Sequence, residues 1–237
     1  MIVFWRLFLA FFITDFLLFN HTGEKAFARF RTAGLLLHGG VFLLLGLGLC
    51  YGYLTMPWPF LELINLPGWM CIVLFALFHV FSDEFFQFGG KFRHGYLTTF
   101  LVKTIVNLLF LFLCVPFQVL YETGNFFAES WVIFLVGLLS ATRVLGWFIF
   151  SIEQDRYGRE YPTFDERWLL MMVRAIFFLI MLLPGWRWAA VLAVWFAACV
   201  YARKNRLMDV SGAAFYIGII GAVLIGFLVR LRFYLVQ

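Results

Sequence analysis

The sequence has little charge. Only 13% of its 237 residues are Asp, Glu, Lys or Arg, whereas 64% are of hydrophobic type. A soluble domain carries about 25% charged residues, so this chain lacks the polar surface that such a domain needs. Its apolar segments are long enough to cross about 30 Å of hydrocarbon as helices, and too long and continuous for the alternating strands of a β-barrel. The sequence therefore predicts an all-α integral membrane protein, folded as a multi-pass helical bundle.

Sequence motifs for known cofactors are also missing. The chain contains no nucleotide-binding loop, haem motif, nucleophile elbow or zinc-protease helix, so catalytic residues and substrate stay unknown at this stage. Its cysteines lie singly in apolar segments without CxxC spacing, which suggests neither a zinc ribbon nor a disulfide framework. We expect them to be buried as small apolar residues: Cys50, Cys71, Cys114 and Cys199.

Apolar segments divide the chain into about eight predicted membrane spans, which we assign to a single polytopic domain, 1–237. The spans cover about 2–19, 33–54, 68–86, 96–119, 129–152, 166–183, 186–203 and 211–233. The second connection is broken by three prolines. Its Trp58 and Trp69 are expected at the level of the lipid headgroups, where tryptophan is enriched.

Basic residues are concentrated in the odd-numbered connections. Eleven Lys and Arg residues lie there, whereas the even-numbered connections hold only Arg187. The positive-inside rule then places the odd connections in the cytoplasm, and we expect the inner (plasma) membrane of a bacterium. The net charge of +5 is explained by topology and anionic lipid, so we expect the lipid bilayer and no nucleic acid as a partner. Arg230 and Arg232 are exceptions to the concentration of basic residues on the predicted cytoplasmic side, because they lie near the predicted outer end of the last span.

Ionisable side chains within the predicted spans are the strongest indication of a functional site, because each is costly to bury in lipid. Eight of them fall in the half of the membrane predicted to face the cytoplasm: Asp15, His38, His79, Asp83, Glu84, Lys103, Arg143 and Arg174. His79 and Asp83 are four residues apart and share one helix face. Such a pair can bind a metal jointly, or the aspartate can orient the imidazole.

These residues give two candidate sites. The candidate ligands of a divalent metal are Asp15, His38, His79 and Asp83. The candidates for binding a phosphate or a lipid headgroup are Lys103, Arg143 and Arg174. For all seven residues, the alternative is structural pairing between helices.

Three short segments resemble the DUF3307 family of bacterial membrane proteins. They are "ITDFLLFN" at 13–20, "LLLHGGVFLLL" at 35–45 and "FHVFSDEFFQF" at 78–88, and "DERWLL" at 165–170 and "ARKNRL" at 202–207 resemble segments of the longer members. The family's histidine and aspartate positions are matched by Asp15, His38, His79 and Asp83. Phe11 stands where the family has its first histidine. Because the family's function is unknown, the resemblance implies a fold and key positions but no activity.

Three classes of function remain open. The first is an accessory or scaffold subunit of a membrane complex, which would bind partner subunits through aromatic helix faces. The second is a metal-dependent membrane enzyme that acts on a lipid or a phosphate-bearing substrate. The third is an ion-coupled transporter, which would need polar groups in both leaflets, whereas this chain has almost none in the outer one.

Overall fold

A computed structural model describes residues 2–18, 31–60, 63–88, 95–115, 129–158, 164–206, 208 and 210–235. In these ranges the chain is helical apart from one hairpin, which confirms the predicted all-α class. Helical segments long and apolar enough to cross a membrane are Gly68–Phe86, Tyr96–Cys114, Ser130–Tyr157 and Gly212–Tyr234. The chain divides into two compact units, 1–133 and 134–237.

Four apolar helices build the part of the first unit that the structure describes. They are α1 (Ile2–Phe12), which continues as a π-helical turn at Ile13–Leu18, then α2 (Arg31–Leu49), α3 (Gly68–Phe88) and α4 (Tyr96–Cys114). Helix α3 packs against α2 and α4, and α1 packs against the same two helices. Because all four helices contribute to one core, side chains from each of them can meet inside this unit. Its most deeply buried apolar residues include Leu7, Leu9, Phe11, Phe42, Ile72, Phe75 and Leu111.

The proline-rich connection between α2 and α3 forms a two-stranded antiparallel hairpin, which the sequence pattern did not predict. Strand β1 (Pro57–Phe60) pairs with β2 (Ile64–Pro67), and Pro57 lies opposite Pro67 at the open end. Proline is tolerated there because a strand end needs no further ladder bond. Trp58 is only 2% exposed and lies so close to Gly68 that a Cβ there would be 2.6 Å from Trp58 Cε2. Trp58 is thus a packing residue rather than the expected headgroup anchor, whereas Trp69 is exposed.

In its described residues, the second unit contains most of a long helix and three further helices. The long helix consists of α5 (Ser130–Leu139), a π-helical turn at Ser140–Val144 and α6 (Leu145–Tyr157), and it is followed by α7 (Phe164–Met181), α8 (Arg187–Lys204) and α9 (Gly212–Leu235). Helix α9 packs against α6 and α7, and α8 contacts α7. Helix α8 is the most exposed, with Cys199 as its one buried residue.

Arg230 has a structural role that accounts for its departure from the charge bias. Its Nη1 donates to the carbonyl oxygen of Met181 at 2.9 Å and to that of Leu183, and its Nη2 donates to the carbonyl oxygen of Gly185 at 3.0 Å. These carbonyls belong to the end of α7 and the turn that follows it, where no intrahelical donors are left. Arg230 therefore caps the C-terminal end of α7.

The first residue of each long helix lies within two residues of the first residue of a predicted segment. Long apolar runs locate helices well because each run is bounded by polar or Gly/Pro-containing connections. The connections at 19–30, 89–94, 116–128 and 159–163, which carry several of the predicted cytoplasmic basic residues, lie outside the described residues.

Candidate metal centre

All four predicted metal ligands, and Lys103, meet in the core of the first unit. Asp15 comes from the π-helical turn after α1, His38 from α2, His79 and Asp83 from α3, and Lys103 from α4. His79 and Asp83 are fully buried, and His38 is 7% exposed. The other two predicted phosphate-binding residues, Arg143 and Arg174, belong to the second unit.

Three of these residues direct ligand atoms at one point. Oδ1 of Asp15 lies 3.3 Å from Nε2 of His38 and 2.9 Å from Nε2 of His79. The two imidazole rings are tilted by 52° to each other, with their centroids 4.8 Å apart. Asp15, His38 and His79 each offer one ligand atom, and these atoms lie within 4.8 Å of one another, so the group can hold a metal ion.

Asp83 supports this group from the opposite side of His38. Its Oδ2 lies 2.5 Å from Nδ1 of His38, and its Oδ1 lies 2.7 Å from Nζ of Lys103. Lys103 Nζ also lies 3.5 Å from Oδ2 of Asp15. A carboxylate on the far nitrogen of a ligating histidine is the usual way in which a protein orients that ring. Asp83 thus holds a ligand rather than being one of the three convergent ligands.

Asn107 orients the second imidazole. Its Nδ2 donates to the carbonyl oxygen of Lys103 at 3.0 Å and to Ser82 Oγ at 3.1 Å. A carbonyl oxygen only accepts, so this side of the amide must be the NH₂ group, and Oδ1 must face His79. The distance from Asn107 Oδ1 to His79 Nδ1 is 3.0 Å. Nδ1 of His79 therefore carries a hydrogen and donates it to Asn107.

The tautomers of both histidines follow from these partners. Nδ1 of His38 donates to the Asp83 carboxylate, and Nδ1 of His79 donates to Asn107. In a neutral imidazole the other nitrogen then carries a lone pair. When both rings are neutral, two Nε2 lone pairs point towards a carboxylate oxygen of Asp15, and these three electron-rich atoms repel one another unless a cation or a proton lies among them.

The contact between His79 and Asp15 fits such a cation. Both Nε2 of His79 and Oδ1 of Asp15 are buried, and neither has a hydrogen-bond partner with acceptable geometry among the residues that the structure describes. When both imidazoles are neutral, the carboxylates of Asp15 and Asp83 and the ammonium group of Lys103 give the cluster a net charge of −1. A buried negative charge without compensation is costly, so either a bound cation or a proton on one imidazole would stabilise the arrangement.

The distances and the donor set indicate which cation fits. Ligands at about 2.0–2.1 Å from a zinc ion lie about 3.3 Å apart in a tetrahedron, and about 2.9 Å apart around an octahedral ion. The 3.3 Å and 2.9 Å separations seen here lie within this range and fit neither geometry alone. Two imidazoles and one carboxylate favour a first-row transition metal such as Zn²⁺ or Fe²⁺ over Mg²⁺ or Ca²⁺, and leave positions open for another ligand.

Aromatic side chains enclose His79. The ring of Phe11 meets the imidazole edge to face at a centroid distance of 5.6 Å, and Phe42 and Phe75 lie at 5.8 and 6.1 Å. All three rings are at most 1% exposed. An apolar shell of this kind excludes water and lowers the local dielectric constant, which strengthens electrostatic interactions inside the site.

Two backbone features bring the ligands together. Asp15 lies in a π-helical turn, a feature that often marks functional sites in helices. Gly39 follows His38 directly, and a Cβ at this position would lie 2.2 Å from Cγ2 of Val80, the residue after His79. The absence of a side chain at Gly39 therefore lets α2 and α3 approach closely enough for the two imidazoles to meet.

Comparison with known proteins gives no match. No family model, no curated protein and no solved structure is similar to this chain. The resemblance of its Asp and His positions to the DUF3307 family therefore stays a prediction.

Proposed function

We propose that this chain is a metal-dependent membrane enzyme whose first unit binds a divalent transition metal through Asp15, His38 and His79. The observation that carries the proposal is the convergence of three ligand atoms, from Asp15, His38 and His79. The other ring nitrogens of the two histidines are hydrogen-bonded to Asp83 and Asn107, which fixes the orientation of both rings. A bound metal would supply Lewis acidity or an activated water at this position.

The protein's own residues would contribute orientation and charge. Asp83 and Asn107 hold the imidazoles with their Nε2 atoms towards Asp15. Lys103 contacts both carboxylates, at 2.7 and 3.5 Å, so it balances the charge of the cluster and lies beside the proposed metal. A cationic neighbour of this kind favours an anionic substrate, in agreement with the predicted lipid or phosphate-bearing substrate.

The proposal includes a place in the membrane. Four long apolar helices support membrane insertion, and the shorter helices would bring the number of spans to about eight. With the odd connections in the cytoplasm of a bacterial cell, the metal centre would lie towards the cytoplasmic side of the inner membrane.

Metal analysis of the purified full chain tests the proposal. The protein should retain close to one Zn or Fe per chain after exhaustive dialysis, measured by inductively coupled plasma mass spectrometry. Asp15→Asn and His79→Gln should lower this content at least about tenfold, because each removes one of three ligands. Glu84→Gln, which changes an exposed carboxylate beside Asp83 on the same helix, should retain the metal.

The activity is tested separately, by release of phosphate from phospholipid substrates in the presence and absence of a chelator. A folded wild-type protein that binds neither Zn²⁺ nor Fe²⁺ after reloading would rule out the metal centre. A metal-loaded protein without chelator-sensitive activity on phosphate esters would leave the centre in place and refute the proposed enzyme class.

A second candidate function is the accessory or scaffold subunit. It is supported by the exposed apolar surface of α8, where Val194 is 71% and Tyr201 68% exposed. In a scaffold, this surface would bind a partner helix. Solubilisation in a mild detergent followed by size analysis distinguishes the two functions, since a lone monomer with bound metal would contradict the scaffold. Flux in proteoliposomes that is abolished by Asp15→Asn would instead favour the transporter.

A further inference from the structure

The hairpin between α2 and α3 lies alongside the helices of the first unit. Strand β1 packs against both α3 and α4, and β2 packs against α3. The ring of Phe60, at the closed end of the hairpin, lies 6.4 Å from the ring of Phe110 in α4. Phe110 in turn stacks on Phe78, in the middle of α3, with the ring centroids 3.8 Å apart. The closed end of the hairpin therefore lies beside the body of these two helices rather than beyond their ends.

The depth of this closed end follows from the rise of helix and strand. Phe75, whose ring lies 6.1 Å from that of Phe110, is seven residues after Gly68, the first residue of α3, which is about 10 Å along the helix axis. Strand β1 begins beside the start of α3, and it rises about 10 Å from Pro57 to Phe60. The hairpin thus runs beside α3 for about 10 Å. Because α3 and α4 are both long and apolar enough to cross a membrane, this depth lies within their spans.

The register of the hairpin shows which backbone groups point away from it. Hydrogen-bonded and non-hydrogen-bonded residue pairs alternate along two antiparallel strands. Pro57 lies opposite Pro67, and because proline has no N–H group, this pair is a non-hydrogen-bonded one. The next non-hydrogen-bonded pair is Pro59 with Asn65. These four residues therefore direct their backbone polar groups outwards, at the two edges of the hairpin.

Proline removes most of the outward donors. Three of these four residues are prolines, so among them Asn65 alone has an outward N–H group. An unpaired N–H group is costly in hydrocarbon because no water is there to accept its hydrogen bond, and non-helical backbone at that depth needs cover from protein. The hairpin has such cover on the side of α3 and α4. Its outward carbonyl groups remain polar, which suits a segment that enters one leaflet and turns back.

The side chains at the closed end are apolar and exposed. Leu63 is 82% and Ile64 is 59% exposed. Residues 51–60 and 63–78 contain no Asp, Glu, Lys, Arg or His, and Glu62 lies outside the described residues. Exposed aliphatic groups are unfavourable in water and favourable against hydrocarbon. The chemistry of the closed end therefore matches the acyl chains of lipids.

We propose that this hairpin is a re-entrant segment, which enters the bilayer beside α3 and α4 and places Leu63 and Ile64 against lipid acyl chains. Three observations support this placement: the contact of Phe60 with Phe110, the loss of outward donors to proline, and the exposed apolar side chains at the closed end. The proposal rests on the membrane insertion proposed above, and it does not depend on the metal centre.

Spin labelling of the full chain in phosphatidylcholine vesicles tests the depth of the hairpin. A nitroxide is attached to Leu63→Cys or to Ile64→Cys, and electron paramagnetic resonance compares its collisions with oxygen, which concentrates in lipid, and with a water-soluble nickel chelate. Wild-type protein treated with the same reagent measures any label on the buried native cysteines. We expect both hairpin labels to collide with oxygen and to lose access to the nickel chelate. Two positions are used so that the result does not depend on the folding of one variant.

Leu109→Cys and Asn205→Cys are the matched controls. Leu109 is 60% exposed on α4, directly before Phe110, so its label reports on hydrocarbon at the depth of the closed end. Asn205 is exposed at the end of α8, so its label reports on water. Hairpin labels that behave as the Leu109 label does support the proposal. Hairpin labels that behave as the Asn205 label does, with the Leu109 label in lipid, overturn it and leave membrane insertion in place. A Leu109 label that is itself in water overturns membrane insertion and the re-entrant hairpin together.

Discussion

The carboxylate of Asp83 lies 2.5 Å from Nδ1 of His38, a residue on another helix and 45 positions earlier in the chain. His79, on the same helix as Asp83, is only one helical turn away and is oriented by Asn107 instead. The two imidazoles thus have different partners, one anionic and one neutral. Because a carboxylate raises the basicity of a ligating imidazole more than an amide does, the two ligands are not equivalent, and each can be tested by itself.

Replacing Asp83 with Asn should weaken metal binding by about 10–100-fold, the usual cost of losing such a supporting carboxylate. It should also lower the apparent melting temperature, because Lys103 loses its 2.7 Å partner inside the unit. Metal titration and thermal unfolding of the purified protein measure the two effects. Glu84→Gln is the matched control, and equal behaviour of both variants would contradict this role of Asp83.

Replacing Asn107 with Leu should also weaken metal binding, since His79 then loses the acceptor that fixes its tautomer. Asn107→Asp keeps an oxygen for Nδ1 of His79 but loses the donor that bonds the Lys103 carbonyl and Ser82. We therefore expect Asn107→Asp to bind metal more tightly than Asn107→Leu does. The reverse order in a competition titration would show that Asn107 acts through packing alone.

Replacing Phe11 with His should add a ligand to the metal centre. The Phe11 ring lies edge to face with the imidazole of His79, at a centroid distance of 5.6 Å, and it is buried. An imidazole in this position would lie beside His79, so we expect Zn²⁺ affinity to rise at least about tenfold, as for a typical added interaction of about 1.4 kcal/mol.

Phe12→His is the control for this experiment. Phe12 is also buried, but its ring contacts Phe8 and Phe16. It should lose stability to the same degree without any gain in metal affinity. Similar zinc affinities for the two variants would place position 11 outside the coordination sphere.

Replacing Gly39 with Ala should destabilise the protein by about 1–3 kcal/mol, because the added methyl group overlaps Val80 on the neighbouring helix. The shift of α2 should also separate His38 from His79 and reduce metal content. Gly40→Ala offers a matched control one residue away, since no atom lies within 4 Å of a Cβ there. We expect this control to be neutral or stabilising, by up to about 1 kcal/mol, through its better helix propensity.

A compensating substitution sharpens the test of Gly39. Val80→Ala removes the overlapping methyl group, so the double variant Gly39→Ala/Val80→Ala should recover part of the lost stability and metal content. Thermal unfolding and metal analysis of the four proteins complete a double-mutant cycle. Additive effects of the two substitutions would show that the close approach of the helices at Gly39 is not what limits the site.

The helices and the members of the cluster could be predicted from sequence because both leave strong local signals. Long apolar runs mark the helices, and a charged residue within such a run is costly enough to need a partner. Lys103 was predicted as a phosphate or headgroup ligand, with structural pairing as the alternative. It lies between Asp83 and Asp15.

The contacts within the cluster could not be predicted in the same way. The His-x₃-Asp spacing puts His79 and Asp83 on one helix face, but which helix each side chain meets depends on packing that no local pattern encodes. Asn107 and Ser82 were missed because they carry no charge. Asn107 could nevertheless have been found from the sequence, because it is a polar amide in an apolar helix, one turn after Lys103.

The π-helical turn at Ile13–Leu18 accommodates one residue more than an α-helical turn does. Loss of a single residue from this stretch would let the chain return to α-helical geometry while the helix before it keeps its direction. Side chains inside the turn would change direction, so Asp15 would leave His38 and His79, whereas Arg6 on the preceding helix would keep its contacts with Glu129. A one-residue deletion here should therefore abolish the proposed metal binding while α1 stays packed as it is.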